Sequence, residues 1–168
     1  MNSRTMHRIA AEHRCLLTLA ETIGAQLERE PEPDYAEVHA LACALRRQFI
    51  EVHLPKERLI VDRLLADTGA ARALLATFMN DHGLAFVDTL ESFVTGLESL
   101  LVDQIVDRKQ LHDSGCQALG HLRAQIAAEE SSTLPWAGKS LGSRDWRAIE
   151  DGAHALPRKC DLLATIEA

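Results

Sequence analysis

Apolar residues recur at intervals of three and four positions through most of this chain, which is the spacing of amphipathic helices. The first such segment begins after Asn2 or Ser3 and is predicted to run to about Arg29. Pro31 and Pro33 follow it, and proline cannot continue a helix interior. The apolar face of this first helix is formed by Ile9, Leu16, Leu19, Ile23 and Leu27.

A second helix is predicted from a capping box at Asp34 and Glu37 to about Ala66, with Gly69 as its terminator. Its apolar face is formed by Val38, Leu41, Leu45, Phe49, Val52, Leu59 and Leu64. Pro55 lies inside this helix. Because proline has no amide hydrogen to donate to the preceding turn, a kink is expected there.

The third and fourth helices are predicted from the same periodicity. The third spans roughly 70–101, and a turn follows over 103–107. Asp107 and Gln110 form a second capping signal, which opens a fourth helix that runs to about Thr133. Leu134-Pro135-Trp136 is expected to close it. The remaining segment, 138–168, is predicted to form two short helical pieces, of which 143–149 is the more convincing.

Four amphipathic helices joined by short connections predict an all-α fold, arranged as an antiparallel up-down four-helix bundle. The bundle is expected to occupy residues 1–137, and residues 138–168 are expected to form a short C-terminal helical extension that packs on it. The composition agrees with this fold class, because 46% hydrophobic residues with only 4% aromatic residues indicate an aliphatic core. Such a core favours helices over a β-sandwich or barrel.

The charge distribution argues against several classes of partner. The chain has 18 Lys and Arg residues against 25 Asp and Glu residues, a net charge of −7, with no basic run. Nucleic acid and anionic membranes are therefore poor partner hypotheses. The chain opens without a signal-peptide stretch and has no apolar run of about 18 residues, so a cytoplasmic protein is expected. A homodimer is left open.

Six polar positions interrupt the apolar faces at matching depths along the four helices. They are His13, His53, Glu57, His82, Gln125 and Glu129. Counted from the predicted turns at a rise of about 1.5 Å per residue, the levels on the four helices agree within roughly 6 Å. His53 and Glu57 share one helix face at i, i+4, and Gln125 and Glu129 repeat this spacing. These side chains are therefore expected to meet in the core.

The chemistry of this set suits a metal site. Five of the six residues are good metal ligands, and Gln125 is the exception. A carboxylate from each of two helices, with imidazoles beside them, suits two first-row metal ions bridged by carboxylates, and a mixed nitrogen and oxygen site accommodates iron. A lone His on an apolar face is more often a hydrogen-bonded core residue, so the prediction depends on the set and not on any one member.

The remaining histidines and the cysteines carry no such pattern. Four histidines match no candidate ligand position and are expected to face solvent. They are His7, His39, His112 and His154. The four cysteines show no C-x-x-C spacing and are expected to be small hydrophobic residues that stay reduced. They are Cys15, Cys43, Cys116 and Cys160.

The candidate residues resemble the hemerythrin-like HHE cation-binding domains over about 9–136. That family takes one His from helix 1, an H-x-x-x-E pair from helix 2, one His from helix 3 and a second H-x-x-x-E pair from helix 4. The matching elements here are Ala-Glu-His13-Arg, Phe49-Ile-Glu-Val-His53-Leu-Pro-Lys-Glu57, Asn80-Asp-His82 and Leu122-Arg-Ala-Gln125-Ile-Ala-Ala-Glu129-Glu130. The second element, with Pro55 inside it, is the most specific, and Trp146 fits a short helix that often follows such bundles.

The resemblance implies a non-haem di-iron site, with Fe at two ions per chain. Glu57 and Glu129 would bridge the irons, and His13, His53 and His82 would bind terminally. Members of the family bind dioxygen, sense iron or oxygen, or handle nitric oxide, so O2 or NO is the expected small ligand. No proton-transfer residue stands out beyond the ligands, so no catalytic residue is predicted. A ferritin-like site would instead use Glu-x-x-His pairs, which do not occur at these positions.

Gln125 stands where the family has His, and this affects the second metal. An amide oxygen is a weak, neutral ligand. The outcomes are a di-iron site with one under-coordinated iron, a single-metal site, or no metal. His121, one turn earlier, is a hypothetical substitute. The alternative function is a helical interaction module whose site is degenerate or holds a single metal.

Overall fold

Helices form all the regular structure in the described part of the chain. The computed structural model describes the backbone of residues 4–67 and 71–156 and the side chains of residues 4–66 and 83–156. The elements are α1 (Arg4–Leu27), α2 (Tyr35–Arg47), a first π-helical segment (Gln48–His53), α3 (Leu54–Asp67), α4 (Ala71–Leu101), α5 (Arg108–Ala128), a second π-helical segment (Glu129–Thr133), α6 (Leu134–Ser140) and α7 (Ser143–His154). The predicted all-α fold class is thus confirmed for these residues.

The two predicted capping signals both open helices. Asp34 Oδ1 accepts hydrogen bonds from the amides of Ala36 at 3.1 Å and Glu37 at 3.0 Å. Asp107 Oδ1 accepts one from the amide of Gln110 at 3.1 Å. The first turn of a helix leaves its amides without intrahelical partners, and these side chains supply them. Both helix starts are therefore confirmed.

Each π-helical segment lies directly before a Leu-Pro pair. In both, the leucine amide donates to the carbonyl five residues earlier, not four. These bonds run from Leu54 to Phe49 and from Leu134 to Glu129. Proline cannot donate, and its ring clashes with the carbonyl four residues before it. The wider turn relieves this clash and lets the helix continue, which is the form that the disturbance expected at Pro55 takes.

The prediction that Leu134-Pro135-Trp136 closes the fourth helix is wrong. Helical structure continues from α5 through the second π-helical segment into α6, which ends at Ser140. Pro135 lies in the first turn of α6, where a missing amide hydrogen is tolerated. Because the preceding π turn makes room for the proline ring, Pro135 changes the helix geometry without ending the helix.

One hydrophobic core joins α1, α2, α4 and α5. In the described residues, α1 packs against α2 and α5, and α4 packs against the same two helices. The largest fully buried members of this core include Leu16, Ile23, Leu45, Phe49, Phe86, Phe93 and Leu97. The first π-helical segment and α3 continue the α2 rod beyond this core, so the rod carries His53 and Glu57 at its middle.

A second apolar cluster anchors α7. Trp146 and Ile149 of α7 pack with Ile9 of α1, Ile60 of α3 and Leu134 of α6. α7 accordingly lies against α1 and α3 and contains the predicted helical piece 143–149. The rest of the predicted tail, residues 157–168, lies outside the described residues. Among the described helices, none is both long and apolar enough to cross a membrane.

One cysteine and one histidine lie in surroundings that differ from those predicted for them. Cys116 is exposed, whereas Cys15 and Cys43 are half-buried, and none of these three described cysteines is in a disulfide bond. His112 does not simply face solvent, because it lies against Cys116 and the carboxylate of Glu28. Cys160 lies outside the described residues.

Candidate metal centre

Five of the six predicted ligand residues come together in one buried set. α1 contributes His13, the first π-helical segment ends with His53, and α3 contributes Glu57 one turn later. Gln125 lies in the last turn of α5, and Glu129 opens the second π-helical segment. All five side chains are 2% exposed or less. The set therefore draws its nitrogen and oxygen atoms from three separate helical rods.

Glu129 lies at the centre of this set. Its Oε2 atom is 3.0 Å from His13 Nε2 and 3.3 Å from His53 Nε2. The two imidazole rings meet edge to face, with 5.0 Å between their centroids. One donor atom each from His13, His53 and Glu129 thus lie within 4.8 Å of one another. This is a nitrogen–nitrogen–oxygen cluster of the size that one metal ion occupies.

The two π-helical segments deliver two of these three donors. His53 is the last residue of the first segment, and Glu129 is the first residue of the second. A π turn contains one residue more than an α turn, so it redirects the following side chains by about 100° around the helix axis. Short π-helical segments occur frequently at functional sites. The prolines that follow them are therefore part of what positions the cluster.

Gln125 links the two carboxyl groups. Its Nε2 atom donates to Glu129 Oε1 at 2.7 Å and to Glu57 Oε1 at 3.3 Å. Gln125 Oε1 and Glu57 Oε2 are both buried without a hydrogen-bond partner among the described residues. Rotating the amide by half a turn exchanges its nitrogen and oxygen. The same side chain can therefore hold the two carboxyl groups together or present an oxygen donor.

Sequence analysis missed a buried ion pair beside His53. Lys56 Nζ donates to Glu12 Oε1, and Glu12 Oε2 lies 3.5 Å from His53 Nδ1. Glu12 and Lys56 are 5% and 8% exposed. A signal was present, because Glu12 falls three residues after Ile9 on the apolar face of α1. A charged residue on a buried face needs a partner, and that partner is Lys56.

The outer side of His13 is held by Glu130. His13 Nδ1 lies 2.9 Å from Glu130 Oε1, while the Glu130 side chain is 52% exposed. The two nitrogens of this ring therefore face two successive carboxylates, Glu130 outside and Glu129 inside. A carboxylate on the outer nitrogen fixes the orientation of a ligand imidazole and raises its basicity.

Burial and charge act in opposite directions at Glu129. Burial raises the pKa of its carboxyl group, but hydrogen bonds and charges from His13 and His53 outweigh it and lower the pKa to about 2. Burial likewise raises the pKa of Glu12, and His53 and Lys56 bring it below its ordinary value. Both carboxylates are therefore ionised at neutral pH.

The pKa values of His53 and Glu57 are raised, in contrast to those of Glu129 and Glu12. Burial lowers the pKa of His53, but the carboxylates of Glu12, Glu129 and Glu57 outweigh it and raise the pKa to about 9. Burial raises the pKa of Glu57, and the negative charge of Glu129 raises it further, to about 8. Without a metal, Glu57 thus holds a proton at neutral pH beside an ionised Glu129.

The donors of this set fit a metal ion. Nitrogen and oxygen donors bound tetrahedrally at about 2.1 Å lie roughly 3.4 Å apart. The two edges from Glu129 Oε2 to the imidazoles are 3.0 and 3.3 Å, slightly tighter than that. Both ring nitrogens of His53 lie near carboxylates, yet neither has a well-aligned hydrogen-bond partner among the described residues. Such buried, poorly satisfied donors are what a metal ion would use.

Two further histidines bear on a second metal. His82 lies within α4, but its side chain is outside the described residues. His121, the hypothetical substitute for a ligand at position 125, instead has its Nδ1 atom 3.3 Å from Thr89 Oγ1 on α4. Among the described side chains, His121 is not part of the cluster around Glu129. The described geometry therefore groups three donors that could hold one metal ion, and His121 is not among them.

Comparisons of the chain with protein-family models, with curated proteins and with solved structures give no match. The resemblance to hemerythrin-like domains thus stays a prediction.

Proposed function

We propose that this protein binds a metal ion through His13, His53 and Glu129 and uses it to bind or sense dioxygen or a related diatomic molecule. One observation carries the proposal: these three side chains place donor atoms within 4.8 Å of one another at 1% exposure or less. Burying charged groups is costly unless they are paired or coordinate a metal. The chain nevertheless brings both imidazoles and the carboxylate to one point from three helical segments.

Iron is the metal that we propose. Two imidazoles and one carboxylate are the donor set of many non-haem iron sites, and they leave coordination positions open. Reduced iron held in this way would supply the capacity to bind O2 or NO. An apolar wall covers one side of His53: the Phe49 ring lies 5.5 Å from the His53 ring and 4.7 Å from the Phe86 ring, measured between ring centroids. This wall keeps bulk water from the donors.

A second iron is the further part of the proposal. Glu57 and Glu129 would bridge the two ions, as the resemblance to hemerythrin-like domains implies, and His82 and Gln125 would complete the second position. The proposal also includes an antiparallel arrangement of the four long rods. It is supported by the core that α1, α2, α4 and α5 share and by the short connections at 28–34 and 102–107.

The chain's own charged residues keep the ligands in place. Glu130 fixes the outer nitrogen of His13, and Glu12 lies against the outer nitrogen of His53. Lys56 neutralises Glu12 and keeps it from adding an unpaired charge to the core. These residues act on ring orientation and basicity, which decide how firmly imidazole binds a metal.

The test is metal analysis of the full chain expressed with iron supplementation, followed by spectroscopy of the reduced protein. We expect iron to copurify, and an absorption band to appear on exposure to O2 or NO. Both should be lost in His13→Ala and retained in His154→Ala, because His154 is exposed and bonds the Glu150 carbonyl. Iron without a response to either gas would contradict the sensing role, and protein that never retains iron would contradict the whole proposal.

A helical interaction module without a working metal site is the second candidate. The hydrogen bonds of Gln125 favour it, because one amide nitrogen donates to both Glu57 and Glu129 without any metal. Melting the purified protein with and without a chelator separates the two. A bound metal raises the melting temperature by mass action on the folded state, so an unchanged melting temperature would favour the interaction module.

A further inference from the structure

A second set of metal-binding side chains lies on the surface, where the end of α1 meets the start of α5. His112 Nε2 is 3.1 Å from Glu28 Oε1, and Cys116 Sγ is 3.9 Å from the same nitrogen. In the described part of the chain, this set and the core set are the two places where three His, Cys, Asp or Glu donors lie within 4.8 Å of one another. The surface set differs from the core set because it contains a thiol.

The surface set is remote from the core set. Glu28 follows His13 by about 15 residues, which is roughly 22 Å along a helix. His112 precedes Glu129 by a similar distance on the α5 rod. One metal ion therefore cannot be shared between the two sets, and each can be tested without the other.

Local structure fixes the three donors. His112 and Cys116 are i, i+4 on α5, so their side chains share one helix face. Glu28 directly follows α1, and its amide donates a hydrogen bond to the Gly24 carbonyl at 3.2 Å. The arrangement thus combines two donors from one helix with a third from its neighbour.

Gly115 allows α1 and α5 to approach each other at this point. A Cβ atom at residue 115 would lie 2.9 Å from Leu27 Cδ1 and 2.8 Å from Phe93 Cε2. Leu27 is the residue before Glu28, and residue 115 lies between the two α5 donors. The missing side chain therefore permits the helix contact that brings Glu28 against His112.

We propose that Glu28, His112 and Cys116 form a zinc site that ties the end of α1 to the start of α5. At ordinary zinc bond lengths, tetrahedral geometry separates nitrogen and sulfur by roughly 3.5 Å and nitrogen and oxygen by roughly 3.4 Å. The present distances of 3.9 and 3.1 Å lie within about half an ångström of these values. Thiolate, imidazole and carboxylate together select zinc over magnesium or calcium, which prefer oxygen ligands.

The surroundings of the site favour a cation and leave a position open. Asp113 Oδ1 lies 3.7 Å from His112 Nδ1, which adds a carboxylate next to the ligands. The carboxylates of Glu28 and Asp113 both lie near His112, and their negative charges attract a divalent cation. Glu28 and His112 are 72% and 36% exposed, so water has access to the fourth coordination position.

Cobalt(II) is the probe for this site, because it takes zinc geometries and gives a charge-transfer band when a thiolate binds it. Reduced full-length protein is titrated with cobalt and then with zinc. We expect one thiolate–cobalt band, displaced by zinc. Cys116→Ser should abolish the band, and His112→Ala or Glu28→Ala should weaken cobalt binding at least about tenfold.

A matched control exists in the same protein. His39 and Cys43 repeat the i, i+4 spacing on α2, with 3.4 Å between Nε2 and Sγ, and Glu98 lies 3.6 Å from His39. This trio is not among the sets whose three donors lie within 4.8 Å of one another. Cys43→Ser should therefore leave the band unchanged.

The surface zinc site and the core metal site can be disproved independently. Glu57→Gln, which alters the core set, should leave the thiolate–cobalt band intact. A parent protein that gives no band, or a band that survives Cys116→Ser, would overturn the zinc site. The three ligand residues lie at the surface, and far-ultraviolet circular dichroism of each variant checks that it remains folded.

Discussion

The carboxyl group of Glu57 lies beside the ionised carboxylate of Glu129, and only one of the two is charged at neutral pH. The pKa of Glu57 is raised to about 8, so the metal-free protein holds it protonated. A metal ion would need it deprotonated. The metal-free protein therefore holds Glu57 protonated, whereas a metal-bound protein would hold it ionised. This difference allows its metal-binding role to be separated from its structural role.

Glu57→Gln should leave metal-free stability nearly unchanged and weaken metal binding at least about tenfold. The amide replaces a carboxyl group that is already neutral, so the free energy of unfolding should change by less than about 1 kcal/mol at neutral pH. Urea denaturation of the apoprotein and metal titration measure the two quantities. Equal metal affinity in the variant and the parent would remove Glu57 from the site.

Glu129→Gln is the contrasting variant. Glu129 is ionised, with a pKa of about 2, and it contacts both His13 and His53. Removing one partner of a buried charged group leaves the other uncompensated, which typically costs about 3–5 kcal/mol. We expect a loss of about 3 kcal/mol in metal-free stability together with loss of metal. A variant as stable as Glu57→Gln would show that Glu129 is not the centre of the charge network.

The buried ion pair of Glu12 and Lys56 allows a third test, of whether it serves stability alone or also metal binding. Replacing one member of a buried ion pair is strongly destabilising, whereas replacing both with apolar groups of similar size is often neutral. We expect Glu12→Gln or Lys56→Met alone to cost about 3 kcal/mol, and Glu12→Leu with Lys56→Met to recover most of it. The double variant should still bind metal more weakly, because His53 has lost the carboxylate beside its Nδ1 atom. Unchanged affinity would mean that Glu12 serves stability alone.

At the scale of elements, the prolines are the clearest cause of local geometry. Pro55 follows His53 by two residues, and the first π-helical segment makes room for its ring. In Pro55→Ala, an amide hydrogen returns and an ordinary α turn can close. Such a closure would rotate His53 relative to Glu57 by about 100°. We therefore expect weaker metal binding with unchanged or higher helix content, measured by metal titration and circular dichroism.

The same elements show what a sequence can predict. Asp34 and Asp107 act on amides two or three residues away, so their helix starts follow from local pattern. A proline inside a helix signals a disturbance, but the sequence does not distinguish a kink, a helix end and a π turn. At Pro135 the expected end was wrong, because the π turn depends on packing of the whole rod.

Contacts between rods were harder to predict than the rods themselves. Matching depths predict that six residues share one level: His13, His53, Glu57, His82, Gln125 and Glu129. Five of them meet in the core, and the side chain of His82 lies outside the described residues. Matching depths do not indicate that Glu12 pairs with Lys56, or that His121 bonds Thr89 on α4. Those partners depend on how each helix is rotated about its axis, which a periodic pattern fixes to within a face and not to a particular neighbour.

At the scale of the whole molecule, the buried charges make stability depend on pH. The pKa of His53 rises from 6.5 to about 9 on folding, and that of Glu57 rises from 4.5 to about 8. Where the folded state has the higher pKa, stability is greatest below the unfolded value and is lost as pH rises through the folded value. Glu57 therefore predicts that the metal-free protein weakens between about pH 4.5 and pH 8, and His53 predicts weakening between about pH 6.5 and pH 9.

The contribution of His53 to this pH dependence of stability has an upper limit and a matched control variant. Its shift corresponds to at most about 3 kcal/mol in the free energy of unfolding, measured by urea denaturation at several pH values. Glu57→Gln should remove the part of the slope that belongs to Glu57 and leave the part that belongs to His53. Metal-loaded protein should lose this alkaline weakening, because a bound metal holds its ligands deprotonated in the folded state. The same slope with and without metal would show that the ion, where present, does not bind these two residues.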